Sequence, residues 1–445
     1  MMTRRIIIAF SIVVFITSIL LINGPVDHTK LNLVAIAYTL AFTTYLILTR
    51  YKECIKFNHF IIIAGVAHLA SMIYEPQLSV DYYRFIWDGE ITWLGFNPFD
   101  FRPSELWMKP AIQNNPYLLQ VYSNMSELSQ HNFSVYPPVN QAYFLIATAF
   151  TDSLVINTFL LKSLIVITEL IGAIYLWRLL NLLELNPLRM WLLYLNPLWI
   201  IECTGNTHFE GVMISYLFIA LYFIIQKKII FGSGLFAIAI QIKLIPLMLL
   251  PFFYRFIGAW RSMLLYTITI SLVIALALLQ LNIKNIDHMV SSLRLYFQVF
   301  EFNSFILHHY LQYGIAETGW NLTRIYGPKL SKIGLGIIMT LALYGQITNW
   351  KKLFNRMTIA FFVYLLFSST VHPWYILTML ALSLFTNYTF PLLWSFLIFT
   401  SYILYADSSI LEPRIVINIE YILVIVLFFY EMYKKKSPFT FLRLS

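Results

Sequence analysis

The chain has 445 residues, of which 59% are hydrophobic and only 11% charged, whereas a soluble domain carries about a quarter charged residues. That excludes a soluble globular protein and predicts an all-α, polytopic transmembrane helical bundle. The net charge of +9 comes from Lys and Arg gathered at the ends of apolar runs, a pattern of cytoplasmic anchoring that argues against nucleic acid as a partner.

A membrane-spanning helix needs about 20 apolar residues. In chain order the spans predicted are Ile6–Asn23, Leu31–Thr49, His59–Tyr74, Leu154–Arg178, Met190–Cys203, Phe209–Gln226, Trp260–Leu281, Lys329–Leu343, Met357–Thr370, Tyr375–Asn387, Phe390–Tyr405 and Arg414–Tyr433. Two further runs fit poorly: Val139–Phe150 is short, and Ile229–Phe253 is broken by Pro246 and Pro251. About 11–13 spans are therefore expected. The first has a basic Arg4-Arg5 lead but no evident small-residue cleavage site, so it is read as a retained span. Cys54 and Cys203 fall on opposite faces and are not expected to pair.

Basic loops set the orientation. Arg4-Arg5, Arg50 to Lys56, Arg178 to Arg189, Lys227-Lys228, Arg255 to Arg261, Lys351-Lys352 and Lys434-Lys435-Lys436 share the cytoplasmic side if Val139–Phe150 and Ile229–Phe253 are re-entrant. The opposite face then receives Gly24–Lys30, Glu75–Pro138, Thr204–His208, Asn282–Pro328, Val371–Trp374 and Asp407–Pro413. One membrane domain over 1–445 is expected. Residues 75–138 would be an extracytoplasmic catalytic loop with interfacial helices, and 282–328 a second outer loop.

The acids, histidines and asparagines outside the basic loops gather on that outer side. On a helix, Asp81, Arg84 and Asp88 share one face, beside Phe85, Trp87 and Trp93. A solvated ion pair is the plain alternative; half-buried, such a carboxylate becomes a general base for an alcohol. His208 and Glu210 have no second ligand pair at metal spacing, so no metal is expected. With Asn206 they suit hydrogen bonding to a phosphate or a sugar hydroxyl, a structural turn being the plain alternative. Lys243, in an apolar run, either snorkels or meets a phosphate. Lys162 and Glu169 share a helix face and are expected to form a buried pair or a link to the site. Tyr136-Pro137-Pro138 and His372-Pro373-Trp374-Tyr375 end helices or stack on a sugar or isoprenoid. Asn303 and His308-His309 are weaker candidates.

The order Asp81 and Asp88, Gly95-Phe96-Asn97-Pro98-Phe99, Tyr136-Pro137-Pro138, Asn196-Pro197-Leu198 with Gly205-Asn206-Thr207-His208, Lys243-Leu244-Ile245-Pro246 and His372-Pro373-Trp374-Tyr375 resembles the C superfamily (GT-C fold) of membrane glycosyltransferases. It looks closest to bacterial mannosyltransferase-like members that use polyprenyl-phosphate sugars. The resemblance implies an inverting hexosyltransferase, of mannose by preference, in the bacterial plasma membrane with an extracytoplasmic active site. Its partners would be a polyprenyl-phosphate sugar donor, a lipid or glycan acceptor and membrane lipids, and it would need no cofactor. Asp81 matches the family's base position best and Asp88 is the alternative. Arg84, Asn97, Tyr136, Asn206, His208, Glu210, Lys243, His372, Trp374 and Tyr375 would bind substrate. Three apparent spans precede the acidic loop where the family often has one, and Glu210 stands where Asp is frequent. A secondary transporter is the rival from another class, disfavoured by 16 glycines and by acids gathered on one face. A polymerase or ligase of lipid-linked glycans shares the same loop logic.

Overall fold

The computed structural model describes residues 2–24, 31–298, 300–405, 413–434 and 438. The expected turn Asp407–Pro413, most of Gly24–Lys30 and the run Lys435-Lys436 lie outside the described residues.

The chain begins with three apolar helices, α1 (Met2–Asn23), α2 (Leu31–Arg50) and α3 (Phe57–Met72), with α1 packed on both others. α3 stops short of Glu75-Pro76, because proline disfavours a helical residue before it. The expected catalytic loop then folds into α4 (Asp81–Trp93) and four short helices, α5 (Pro103–Leu106), α6 (Pro110–Gln113), α7 (Pro116–Ser123) and α8 (Glu127–Gln130). Three of these short helices start on proline, which needs no N–H at the first helical position. α9 (Pro138–Ala147) lies against α4, and α10 (Leu154–Leu182) is the long strut beside it.

The span expected at Met190–Cys203 is interrupted instead. A 3₁₀ turn, Pro187–Met190, leads into α11 (Trp191–Tyr194) and α12 (Pro197–Trp199), followed by a π turn over Ile200–Gly205. Asn196 starts α12 by accepting from the Leu198 amide at 2.9 Å, with Pro197 behind it. Residues 197–205 then turn by 108° into α13 (Glu210–Ile225), with Thr207 in the left-handed region at φ 60°. α14 (Ile229–Ile242) returns along α13; after a turn at Lys243–Leu249, α15 (Leu250–Ile257) leads to α16 (Ala259–Ala277). The run expected at Ile229–Phe253 is thus broken at Lys243, before Pro246.

The C-terminal part comprises α17 (Ile283–Gln298), α18 (Ile306–Thr318), α19 (Thr323–Leu343), α20 (Trp350–Phe367), α21 (Ile376–Ser383), α22 (Phe390–Leu397), a 3₁₀ stretch Ile398–Tyr405, and α23 (Pro413–Lys434). A bridge between Phe302 and Thr370 ties the segment after α17 to the turn after α20.

Among the described residues, five helices are long and apolar enough to cross a membrane, or six if the bent pair 197–225 is one span. The helical bundle is as expected, but the full-length spans are fewer than 11–13. The remaining apolar runs form shorter helices such as Phe57–Met72 and Ile229–Ile242.

Close helix contact fixes the position of α4. A Cβ on Gly89 would sit 2.6 Å from both the Phe144 carbonyl oxygen and Thr148 Oγ1, so only glycine lets α4 lie directly on α9. Gly89→Ala should force the two helices apart at a cost of about 1–3 kcal/mol. The check is a lowered thermal midpoint of the detergent-solubilised protein; a midpoint equal to that of the unsubstituted chain would contradict this packing.

Candidate active site

α4 carries acidic groups in two different settings. Asp81 is its first residue, where the helix dipole favours negative charge. Asp81 opens into a cavity of about 720 Å³, and the described residues make no hydrogen bond to its carboxylate. Burial raises its pKa above the ordinary value, and the Lys243 ammonium partly offsets that rise.

Asp88, two turns along, is fully buried and away from the cavity. Arg84 Nε donates to it at 2.7 Å, Ser134 Oγ at 2.7 Å and Gln141 Nε2 at 3.1 Å. Arg84 Nη1 donates onward to the carbonyls of Ser129 and Asn132 at 2.6 and 2.8 Å. The pair therefore anchors the segment that delivers Ser126, Leu128, Val135, Tyr136 and Pro137 to the cavity wall. Neither side chain lines this cavity. They hold the wall.

Another part of the wall comes from three helix interruptions. His208, at the bend before α13, stacks on Trp374 with ring centres 3.5 Å apart, and Trp374 stacks on His372 at 4.5 Å. His372 continues onto Phe302 at 4.8 Å. His372 lies outside the spanning helices; burial, and then the nearby Lys243, push its pKa down to about 3, so the ring is neutral near pH 7. Lys243, at the turn after α14, lies 5.6 Å over the Tyr375 ring and forms an ion pair with buried Glu210. Thus Asp81, Tyr136, His208, Lys243, His372, Trp374 and Tyr375 meet in one cavity.

Three other expected residues lie off the cavity. Asn97 Nδ2 donates to the Gln280 carbonyl at 2.6 Å and caps a turn through the Phe99 amide. Asn206 Oδ1 accepts from the Leu78 amide at 3.2 Å, while its Nδ2 reaches Glu202 at 3.3 Å. Glu210 is buried behind Lys243. The polar atoms of Asn97 and Asn206 serve the chain's own turns and contacts, which is the commoner fate of such groups. Lys162 and Glu169 do not pair either: Lys162 Nζ donates to the carbonyls of Ser71 and Tyr74, and Glu169 accepts from Thr204. Asn303 binds Glu420 at 3.2 Å, away from the cavity. Cys54 and Cys203 are both free.

Glu75, Glu202 and Tyr402 were missed by sequence reasoning. Glu75 and Tyr402 line the cavity. Glu202 lies behind it, accepting from the Tyr402 hydroxyl at 2.7 Å and sitting 3.5 Å from His208 Nε2. An acid inside the apolar run Met190–Cys203 was the available signal for Glu202. Tyr402 has no local signal, being one tyrosine in an apolar stretch.

Removing the Asp88 carboxylate leaves the Arg84 charge buried without its ion-pair partner, which costs about 3–5 kcal/mol. Asp88→Ala should therefore lower the thermal midpoint sharply and expose residues 126–137 to proteolysis. The double change Arg84→Leu with Asp88→Leu should recover part of that loss; identical behaviour of the single and double variants would contradict a buried pair.

A family model described as alpha-(1->6)-mannopyranosyltransferase, N-terminal domain, matches residues 12–259, more than half of the chain. The chain is 24% identical over 179 residues to an alpha-(1->6)-mannopyranosyltransferase A of Corynebacterium glutamicum, a match covering 40% of this chain and 34% of the relative. That match spans about a third of the relative's length. No solved structure matches.

Proposed function

From the chain's membership of the alpha-(1->6)-mannopyranosyltransferase family, carried by the match over residues 12–259, we propose that it transfers a mannosyl group from a polyprenyl-phosphate-linked donor to a glycan or lipid acceptor. The reaction inverts the anomeric centre and takes place at the extracytoplasmic side of the bacterial plasma membrane. The whole chain acts as one GT-C-like domain, with residues 75–138 and 282–328 as its outer loops.

The observation carrying this reading is that Asp81 and Lys243 line one aromatic-walled cavity built into an apolar helical bundle. Asp81 takes the proton from an acceptor hydroxyl. The resulting oxygen attacks the anomeric carbon from the face opposite the phosphate, the bond from carbon to phosphate oxygen breaks, and the departing phosphate keeps the electron pair. Lys243 stabilises the negative charge that develops there. His372, being neutral, supplies a hydrogen-bonding ring but no charge. An inverting displacement that makes an α linkage starts from a β-linked donor. Aromatic faces at Trp374, Tyr375 and Tyr136 provide flat apolar area for sugar rings or the first isoprene units.

Asp81→Asn should reduce mannosyl transfer by about 10²-fold or more, the usual contribution of a positioned base. Asp88→Asn should affect stability first. Transfer at the unsubstituted rate by Asp81→Asn, measured with polyprenyl-phosphate mannose and a synthetic mannoside, would remove the base assignment.

The pH profile supplies a second check. The base must be ionised, and burial favours its neutral form. Activity should therefore fall on the acid side at a pKa above the ordinary Asp value of about 3.9. Since Lys243 opposes the upward shift, Lys243→Met should move that acid limb to still higher pH. A limb that stays put or moves down would show that the titrating group is not Asp81.

A further inference from the structure

Glu202 is a fully buried acid that takes no part in the transfer step. An acid enclosed in an apolar bundle is costly unless its oxygens are used, and those of Glu202 serve the wall of the cavity. Oε1 accepts from the Tyr402 hydroxyl at 2.7 Å, while Oε2 accepts from Asn206 Nδ2 at 3.3 Å and lies 3.5 Å from His208 Nε2. Glu202 also holds His208 through the main chain, its carbonyl accepting from the His208 N–H at 3.0 Å. That turn sets Thr207 in the left-handed region at φ 60°, which a threonine keeps only where its surroundings demand it. Trp374 stacks on the imidazole with ring centres 3.5 Å apart. The plane of the His208 ring is thus set by the indole and its edge by the carboxyl group.

The two ring nitrogens have different surroundings. Nε2 is buried without a hydrogen bond, and Glu202 Oε2 stands at the limit of its reach; contacts of this kind are often long before substrate binds. Nδ1 has no partner among the described residues, and His208 lines the cavity. Which ring nitrogen carries the proton is decided by the partner of the other. If Glu202 is a carboxylic acid it donates to Nε2, and Nδ1 keeps the ring's hydrogen; if it is a carboxylate beside an imidazolium, Nδ1 carries one as well. Both forms hold two protons and no net charge, the state that an apolar enclosure favours. We infer that Glu202 is a positioning residue for the transfer reaction: it keeps the Nδ1–H of His208 available to the cavity, where the ring donates a hydrogen bond to an oxygen of the bound substrate. No proton leaves the pair. Lys243 supplies charge at the cavity, and His208 supplies a directed donor. This inference rests on the transferase reading and adds to it a buried residue that acts through another.

The test uses the full chain in lipid nanodiscs, with polyprenyl-phosphate mannose as donor and octyl α-mannoside as acceptor. Glu202→Met removes the carboxyl group at similar size and should lower kcat/KM for at least one of the two substrates about tenfold or more, the effect of losing one hydrogen bond to substrate. His208→Phe keeps a ring stacked on Trp374 but removes both nitrogens, and it should lose at least as much. Adding Glu202→Met to His208→Phe should cost less than about a further twofold, because both changes remove the same donor. Glu202→Gln keeps an N–H that can donate to Nε2, and it should stay within about threefold of the unsubstituted chain. A carboxyl group that merely braced the turn would add its loss to that of His208→Phe. Losses that multiply, full kcat/KM for both substrates in Glu202→Met, or a Glu202→Gln as impaired as Glu202→Met would each overturn the inference. Should Glu202→Met fail to fold, an undiminished His208→Phe or a loss of about tenfold in Glu202→Gln overturns it. Absence of mannosyl transfer by the unsubstituted chain sinks the transferase reading itself, whereas transfer indifferent to Glu202→Met sinks only the role of Glu202.

Discussion

The arrangement depends on a buried ion pair within one turn of a single helix. Arg84 and Asp88 sit at i and i+4 on α4, nearly closed to solvent. Placing two charges there is expensive, and the pair is tolerable because its remaining donors and acceptors are used. Asp88 receives Arg84, Ser134 and Gln141, and Arg84 Nη1 donates to two main-chain carbonyls. One helix thereby carries an acid that opens into the cavity at its first turn and the fastening of the facing segment on its second. The register between Asp81 and Tyr136 follows from α4 itself, and the contact of Gly89 with α9 locks that helix in place.

Polar groups enter the apolar bundle wherever a helix is interrupted. The π turn at 200–205, the turn after α14 and the turn after α20 deliver His208, Lys243 and His372. Non-helical backbone at such depth needs partners or a water-filled space, and these three turns border the same cavity. The stacked column His208, Trp374 and His372 joins two of the turns by ring contact. Glu202 and Glu210 stand behind the wall, each bound to a residue that faces the cavity.

Much of this was legible in the chain. Composition alone implied a helical membrane bundle, and the clustering of acids and histidines on one side of the basic loops implied a shared site. What could not be read was which face of each helix turned inward. Asp81 and Asp88 lie on one helix face by spacing, yet the cavity ends between them, because α9 and the 126–137 segment close over Asp88. Asn97 and Asn206 carry the same chemistry as a sugar-binding amide. Whether an amide serves a ligand or its own turn depends on main-chain neighbours far along the chain, such as Gln280 and Leu78. The interruption of the run Met190–Cys203 was hidden for a related reason: hydropathy registers an apolar run but not the turn that Asn196-Pro197 places inside it.

The cavity wall draws on residues from Glu75 to Tyr402. During synthesis, the helices before α13 therefore enter the bilayer with the acidic side of the site already in place and its counterpart still missing. The portion up to residue 259 supplies Asp81, His208 and Lys243, but the column of rings beside them waits for Trp374. The cavity of a nascent chain of this protein thus lacks part of its wall through most of translation, and is complete only once the final quarter has docked.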